Sequence, residues 1–343
     1  GEKEFTFLEL SLTFADLGLY REAADLLSVT MVEGVPTSEH RPLPFYYLAY
    51  YESRVGNRTI ARKYLDRAAG LKRDYVFPSR PETIDVLEYA VRETPDDARA
   101  REYLGNLLAG LGRLDEAAQS WREAADRDLS LSVARRNLGL YNWRVAGDLD
   151  AAVEWYTAAI VARPSDQTLH RDLAQLHIAR HFPTTAIDLL EKMPSTPRRR
   201  ADATVLLART YLNVSRYDDA IELLDRTTFS NREGDSDTWT IFSNTHIERG
   251  ILRLDSNDAF GALEDFERAL TYPTNLNAGQ PSQPHEARAQ YWKGRALEAM
   301  GQDDAARAAW QAGMENPPTD EDQIEYIRLS RQALAIQKSP GTR

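Results

Sequence analysis

The sequence has 343 residues, of which 42% are hydrophobic and 28% charged, a balance typical of a soluble globular protein and unlike that of a disordered one. The net charge of -11 argues against a general nucleic-acid or anionic-membrane binder, because there is no excess of Lys and Arg to replace phosphate counterions. Without cysteine, the chain has no disulfide, thiol nucleophile or cysteine-bound zinc, and the redox compartment stays open.

The termini and hydropathy give little information on location. No apolar run approaches the roughly 18 residues needed to span a bilayer, and the N-terminus has no signal-peptide pattern. The chain begins with Gly1-Glu2-Lys3, without methionine, so we expect that its natural start, with any targeting signal, lies upstream. The compartment is therefore unknown, with the cytoplasm slightly favoured.

One spacing recurs along the chain and predicts a helical hairpin in each copy. The closest fit, over 98–129, has Leu104-Gly105 followed by Ala117, Trp121 and Ala124. Small residues let the two helices of a hairpin approach closely, and large residues fill the remaining space. Related spacings occur over 5–31, 43–70, 132–164, 167–193 and 200–227, and in two looser copies around Gly250 and Gly294.

The copy over 132–164 deviates from this spacing by one position. Leu138-Gly139 lies one residue too far upstream of Ala152. The shift predicts an insertion in the first helix of that hairpin.

The recurring pattern resembles the tetratricopeptide repeat family, and the resemblance covers nearly the whole chain in about eight copies. One such hairpin cannot bury its apolar face alone, so the copies must stack. The expected fold class is all-α: a right-handed α-solenoid of about eight hairpins with a lone helix and a terminal capping helix. The expected divisions are an N-terminal repeat pair (1–70), an irregular loop and lone helix (71–95), a central array (96–228), an insertion loop (229–236), C-terminal repeats with a capping helix (237–337) and a tail (338–343).

Three segments interrupt the repeats. Residues 71–95 predict only one helix, which starts near Pro81. The stretch "TTFSNREGDSDTW" ends at Trp239 and leads into a long helix predicted from about Asp237 to Leu254. A Pro- and Asn-rich loop is predicted from Tyr272 to Glu286, and a solvating terminal helix over 320–337.

These interruptions resemble segments of a large bacterial family, itself uncharacterised, that pairs a sugar-enzyme-like β-sandwich region with a tetratricopeptide array. Its "Y-x-F-P-x-R" segment matches 75–80 and its "Y-P-x-N-L-x-x-G" loop matches 272–279. Its central "R-x-F-H-P-W-E-G-G-E-G" motif is matched in part, with Ser230-Asn231-Arg232 where His-Pro-Trp is usual. The resemblance implies a scaffold for protein–protein contacts that docks on a carbohydrate-active β-domain of the same or a partner polypeptide.

The resemblance and the loop composition together nominate a set of binding residues. They are Tyr75, Phe77, Arg80, Arg226, Phe229, Asn231, Arg232, Glu233, Trp239 and Asn275. In the alternative interpretation, the chain is the C-terminal module of a glycoside-processing enzyme. Glu233 and Asp235 would then act as acid and base, and Trp239 would stack on a sugar. Exposed loop acids are plentiful, so surface solvation is the competing interpretation of both carboxylates, and the isolated chain is not expected to be an enzyme.

No cofactor or metal motif is recognised, and none is expected to bind. His170, His177 and His181 have the spacing of one helical face, but we interpret them as packing residues. The expected partner is a protein, with carbohydrate as a second candidate; neither nucleic-acid binding nor membrane insertion is expected.

Overall fold

The computed structural model describes residues 2–29, 41–71, 76–194, 200–230, 236–281 and 284–337. Within these ranges the chain is helical and contains no β-strand. The first nine helices are α1 (Glu2–Asp16), α2 (Tyr20–Ser28), α3 (Pro42–Arg54), α4 (Arg58–Gly70), α5 (Thr83–Glu93), α6 (Ala98–Gly110), α7 (Leu114–Arg127), α8 (Ser132–Tyr141) and α9 (Leu149–Ala162). The other nine are α10 (Gln167–Ala179), α11 (Pro183–Glu191), α12 (Ala201–Asn213), α13 (Tyr217–Asp225), α14 (Asp237–Asp255), α15 (Ala259–Ala269), α16 (Ala287–Ala299), α17 (Asp303–Met314) and α18 (Glu321–Gln337).

Fourteen of these helices pair into seven hairpins, as the sequence pattern predicts. The pairs are α1–α2, α3–α4, α6–α7, α8–α9, α12–α13, α14–α15 and α16–α17. The predicted copy over 167–193 supplies α10 and α11, which a short turn joins. The lone helix α5 lies between the second and third hairpins, and α18 follows the last one. The all-α solenoid class is therefore confirmed within the described residues.

The chain divides into two compact units, Gly1–Leu176 and His177–Arg343. The core of the first unit is rich in buried tyrosine, with Tyr46, Tyr47 and Tyr51 each at most 1% exposed. Phe266 and Trp310 are fully buried in the second unit. Each unit thus has its own apolar core.

Matched side-chain volumes hold the hairpins together. A Cβ atom on Gly105 would lie 2.6 Å from the Trp121 ring, and one on Gly139 would lie 2.7 Å from the Tyr156 ring. In the same way, the Phe266 ring leaves no room for a Cβ atom on Gly250, and the Trp310 ring leaves none on Gly294. Copies with alanine at this position have a smaller residue than an aromatic ring sixteen residues later, as in Ala49 with Leu65 and Ala208 with Leu224. Glycine is therefore found where the facing helix supplies an aromatic ring, because the summed volume must fit one interhelical gap.

The turn inside every copy of the repeat contains one residue with positive φ. Glycine fills it in five copies, for example Gly56 (φ 88°) and Gly112 (φ 80°). His181 (φ 63°), Ser215 (φ 62°) and Asn257 (φ 65°) fill it in the others, although side chains disfavour this conformation. Because α10 ends at Ala179, His181 is a turn residue, and the interpretation that the three histidines share one helical face is wrong.

The one-residue shift near Leu138 has a defined structural outcome. Helix α8 runs into a π-helical segment, Asn142–Ala146, which ends at Gly147 with φ 73°. A π-helical turn absorbs an additional residue without breaking the helix. The predicted insertion is therefore confirmed, and Gly139 still faces Tyr156.

The predicted interruptions agree closely with the structure. The lone helix α5 begins at Thr83, two residues after Pro81, and the long helix α14 extends to Asp255. Helix α18 spans Glu321–Gln337, close to the predicted 320–337. None of the described helices combines the length and the apolar character that a membrane span requires.

Candidate binding cleft in the second unit

Two of the three interrupting segments meet in the second unit. After α13, the chain passes along the loop that joins α15 to α16, and the Phe229 N–H donates to the Asn275 carbonyl at 2.8 Å. The Asn275 side-chain amide donates to the carbonyls of Leu224 and Thr227, each at 2.8 Å. The Leu224 carbonyl lies in the last turn of α13, where helices leave acceptors unsatisfied, and the Thr227 carbonyl lies two residues beyond the end of the helix. Asn275 therefore ties the two segments together.

The aromatic residues of these segments are packed inside the same junction. Phe229 is 3% exposed and Trp239 is 5% exposed. The Trp239 ring stacks on Tyr272, with ring centroids 4.8 Å apart and planes 8° from parallel, and its indole N–H donates to the Thr271 carbonyl at 2.9 Å. The Tyr272 hydroxyl in turn donates to Glu286 at 2.8 Å. One face of Trp239 is therefore already covered by the protein itself.

Replacing Asn275 by alanine is expected to destabilise the junction by about 1–3 kcal/mol, because the Leu224 and Thr227 carbonyls both lose the hydrogen bond from its side-chain amide. Hydrogen exchange should show faster opening of the last turn of α13 and of the 227–230 segment. Exchange in α17, whose contacts are unchanged, serves as the internal control. Unchanged exchange at Leu223 and Leu224 would contradict the assigned role.

A cleft opens directly beside this junction, between the first helices of the last two hairpins and the terminal helix. It has a volume of about 340 Å³. Its walls come from α14, α16, α18 and the loop that precedes α16, and we call it the α14–α16–α18 cleft. The lining residues are Ser236, Trp239, Thr240, Ser243, Asn244, Ile247, Pro281, His285, Arg288, Asp320, Asp322 and Gln323.

The walls of the α14–α16–α18 cleft carry more acidic than free basic groups. Arg288 pairs with Glu248 at 2.5 Å, and His285 lies 3.0 Å from Asp320. Asp322 has no ion-pair partner among the described residues. Burial raises the pKa of Asp322 above its usual value, Arg288 acts in the opposite direction, and Asp320 adds to the increase. The uncompensated carboxylate suits a cationic or hydrogen-bond-donating ligand.

The cleft also presents an amide without an internal partner. Asn244 is half-buried on α14, and within the described ranges its side chain makes no hydrogen bond. An amide offers both a donor and an acceptor, the pair of groups that an extended peptide backbone requires.

The sequence interpretation did not nominate Asn244, Arg288 or Asp322. A signal was present, because Asn244 and Arg288 occupy the same repeat position, six residues before Gly250 and Gly294 respectively. Equivalent positions on successive first helices lie side by side in a stacked array. Asp322 belongs to the terminal helix, outside the repeat spacing, and no pattern indicates it.

Three further nominated residues, Phe77, Arg80 and Arg226, lie in described parts of the chain. Phe77 is 62% exposed in the first unit, where Arg80 forms a two-point ion pair with Glu9 on α1. Arg226 pairs with Glu222 one helical turn earlier, at 2.8 Å and in an exposed position. The other nominated residues, Tyr75, Asn231, Arg232, Glu233 and Asp235, lie outside the described residues. Their proposed roles stay predictions.

Metal binding has no support within the described ranges, which contain no cluster of three or more His, Asp or Glu side chains arranged to hold an ion. His170 instead contacts the Pro164 carbonyl through Nε2 at 2.9 Å. This contact agrees with the interpretation of that histidine as a packing residue.

Several solved structures are similar to this chain, whereas no curated protein matches it. A chain of the Naa15/Naa10 complex bound to HypK-THB is 17% identical, with a TM-score of 0.48 over 80% of this chain and 38% of that one. YrrB, a TPR protein with an unusual peptide-binding site, is 15% identical, with a TM-score of 0.41 over 66% of this chain and 99% of YrrB. A tetratricopeptide repeat protein from Parabacteroides merdae ATCC 43184 is 15% identical, with a TM-score of 0.38 over 84% and 98% of the two chains.

The family profile of the tetratricopeptide repeat matches residues 84–130, 117–167 and 247–321. These matches include the hairpins α6–α7, α8–α9 and α16–α17 and the part of α14–α15 from residue 247 onward; in all four hairpins glycine faces an aromatic ring. The third match contains five of the twelve residues that line the α14–α16–α18 cleft: Ile247, Pro281, His285, Arg288 and Asp320. Residues 84–167 and 247–321 therefore match tetratricopeptide repeats, and part of the cleft lining belongs to the second of these ranges.

Proposed function

We propose that the chain is a protein-interaction scaffold and that the α14–α16–α18 cleft binds an extended, basic or neutral segment of a partner protein. The observation that carries the proposal is the pair of uncompensated polar groups in one cleft, the Asn244 amide and the Asp322 carboxylate. A peptide backbone would meet the amide, and a Lys or Arg side chain would meet the carboxylate. The rigid helices on either side keep these groups in place before the ligand arrives.

The sequence composition supports a partner of this charge. A net charge of -11 repels acidic ligands at long range and attracts basic ones. Arg288 and His285 do not reverse this preference locally, because each already contacts a carboxylate, Glu248 and Asp320 respectively.

A random peptide library displayed on phage and selected on the chain tests the proposal. We expect enrichment of peptides with at least one Lys or Arg, and about tenfold weaker binding of these peptides to Asn244→Ala, the loss of about one hydrogen bond. Asp322→Asn should reduce the preference for basic peptides, and Glu264→Gln, an exposed change on α15, serves as the matched control. Peptides that bind the parent chain and both cleft variants with equal affinity would refute the cleft as the binding site.

The raised pKa of Asp322 adds a dependence on pH. The carboxylate attracts a basic peptide only when it is ionised, so affinity should fall as the pH decreases through its raised pKa. Asp322→Asn should bind the same peptide with little change over that range. Fluorescence polarisation at several pH values between about 4 and 7 measures the affinity of the parent chain and of Asp322→Asn for the peptide. This interval covers the upper part of the pKa range of carboxylates in proteins.

We also propose that the partner is a carbohydrate-active β-domain of the same or another polypeptide. The support is the resemblance of segments 75–80 and 272–279 to the bacterial family, together with the contact between Asn275 and the 227–229 segment. Sequencing the natural gene on both sides of this chain, and co-purifying any β-rich product with it, tests this extension. A β-domain that fails to bind the chain would overturn it and leave the peptide-binding proposal in place.

The glycoside-processing alternative has less support. Its acid–base pair, Glu233 and Asp235, lies outside the described residues, and Trp239 would have to leave its stack on Tyr272 to offer both ring faces to a sugar. Hydrolysis of chromogenic glycosides by the chain, abolished by Glu233→Gln, would favour this alternative over the scaffold.

A further inference from the structure

A second cleft, in the first unit, is lined by arginine. It has a volume of about 400 Å³ and lies where the repeat pattern lacks a helix, so that α5 packs against α3 and α6. Its walls come from the end of α3, from α4 and from the C-terminal half of α5. The lining residues are Tyr50, Ser53, Arg54, Arg58, Arg62, Leu65, Tyr89, Arg92 and Glu93. We call it the arginine cleft.

Two of the four arginines are neutralised by neighbouring acids. Arg62 pairs with Asp66 at 2.9 Å and also donates to the Glu93 carbonyl at 3.1 Å, which links α4 to the end of α5. Arg92 contacts the Glu93 carboxylate at 3.2 Å. The charges of these two side chains are therefore largely compensated.

The other two arginines have no such compensation. Across the described part of the chain, neither Arg54 nor Arg58 has a carboxylate within ion-pair distance. Arg54 lies over the rings of Tyr20 and Tyr50, 5.1 and 6.0 Å from their centroids. Stacking on aromatic rings holds a guanidinium group in place while leaving its N–H groups free to donate.

Uncompensated positive charge in this place requires an explanation, because the whole chain carries a net charge of -11. Arg54 and Arg58 line the same cleft, and an anion bound there would be attracted by both positive charges. Their planar donor groups match carboxylate geometry. The cavity volume lies in the range of ligand sites, and Tyr50 and Tyr89, with rings 5.9 Å apart, provide an apolar wall.

We propose that the arginine cleft binds an acidic segment of a protein partner, with two carboxylates that meet Arg54 and Arg58. The overall negative charge disfavours long polyanions, whereas a short peptide brings only a few charges to the cleft. This inference rests on the proposed scaffold function and assigns to it a second, oppositely charged contact.

Fluorescence polarisation with a fluorescein-labelled heptapeptide that contains four aspartates tests the inference. We expect saturable binding that weakens at least tenfold in the double variant Arg54→Gln/Arg58→Gln and declines with added salt. The same peptide with asparagine in place of aspartate should not bind. Arg113→Gln is the matched control, because this exposed arginine of the same unit already pairs with Glu116.

Three outcomes would overturn the inference. They are equal binding of the asparagine peptide, full affinity in the double variant, and displacement of the peptide by inorganic phosphate at a similar concentration, which would make the site a phosphate site. Far-UV circular dichroism checks folding, and the single variant Arg58→Lys, which keeps the charge on an exposed residue, should retain most of the affinity. A chain that binds selected basic peptides but not the aspartate peptide refutes this inference alone; the reverse result refutes the α14–α16–α18 assignment alone.

Discussion

Replacing Asp265 by alanine should lower the free energy of unfolding of the second unit by about 3–5 kcal/mol. This carboxylate, 2% exposed, lies on α15 and faces three basic side chains of α14. Arg249 donates to it at 2.6 Å, Arg253 approaches to 3.0 Å, and His246 Nδ1 lies 2.8 Å away. Its removal leaves these groups in a buried site without their shared acceptor.

Asp218 provides a matched control for this prediction. It also accepts from Arg249, at 2.6 Å, but its side chain is 86% exposed. An exposed ion pair contributes only about 0–1 kcal/mol, so Asp218→Ala should change stability little. Urea denaturation followed by circular dichroism compares the two variants. Equal decreases in the free energy of unfolding for the two variants would show that the burial of Asp265 does not determine its contribution to stability.

The same carboxylate predicts a dependence of stability on pH. Burial alone would raise the pKa of Asp265, but hydrogen bonds from His246 and Arg249, and the charges of Arg249 and Arg253, lower it overall. A pKa that is lower in the folded state stabilises the protein above the unfolded value of about 3.9, and this contribution is lost as the pH falls through the folded value. Asp265→Asn should therefore lose less stability on acidification than the parent chain.

Replacing Gly105 by alanine should cost about 1–3 kcal/mol, although alanine is the better helix former. The added Cβ would lie 2.6 Å from the Trp121 ring and 3.1 Å from the Ala117 carbonyl. Gly110, on the same helix, has open space around it, so Gly110→Ala should be neutral or stabilising by up to about 1 kcal/mol. Thermal unfolding separates packing from helix propensity.

A double variant sharpens the Gly105 prediction. Gly105→Ala with Trp121→Leu recreates the alanine–leucine pair of Ala49 and Leu65. The loss should then be smaller than the sum of the two single losses, a favourable coupling that only contacting residues show. Strictly additive losses would contradict the volume-matching explanation of the repeat.

Much of the fold follows from the sequence because one physical constraint, the gap between two packed helices, recurs in every hairpin. It predicts where Gly105 and Trp121 meet, and the single-residue shift at Leu138 predicts an insertion, which the structure accommodates as a π-helical segment. The turn position could be inferred from glycine, but not where His181 or Ser215 replaces it, since residues other than glycine adopt positive φ only uncommonly.

The candidate sites were harder to predict, because their residues come together only through tertiary packing. The loop motif nominated Phe229 and Trp239 as binding residues but did not indicate that both side chains would be buried. The arginine cleft depends on the gap left by a missing helix, and its residues are separated by up to about forty positions in sequence. The spacing of residues along the chain therefore does not predict which of them meet in the folded cleft.

Photo-crosslinking tests the central claim, that the α14–α16–α18 cleft binds partner segments, most directly. A benzophenone side chain at Thr240, inside the cleft, or at Phe260, 64% exposed on α15, would be irradiated with a peptide selected on the chain. We expect the peptide to be crosslinked from position 240 and not from position 260. Crosslinking from position 260 alone would contradict this claim.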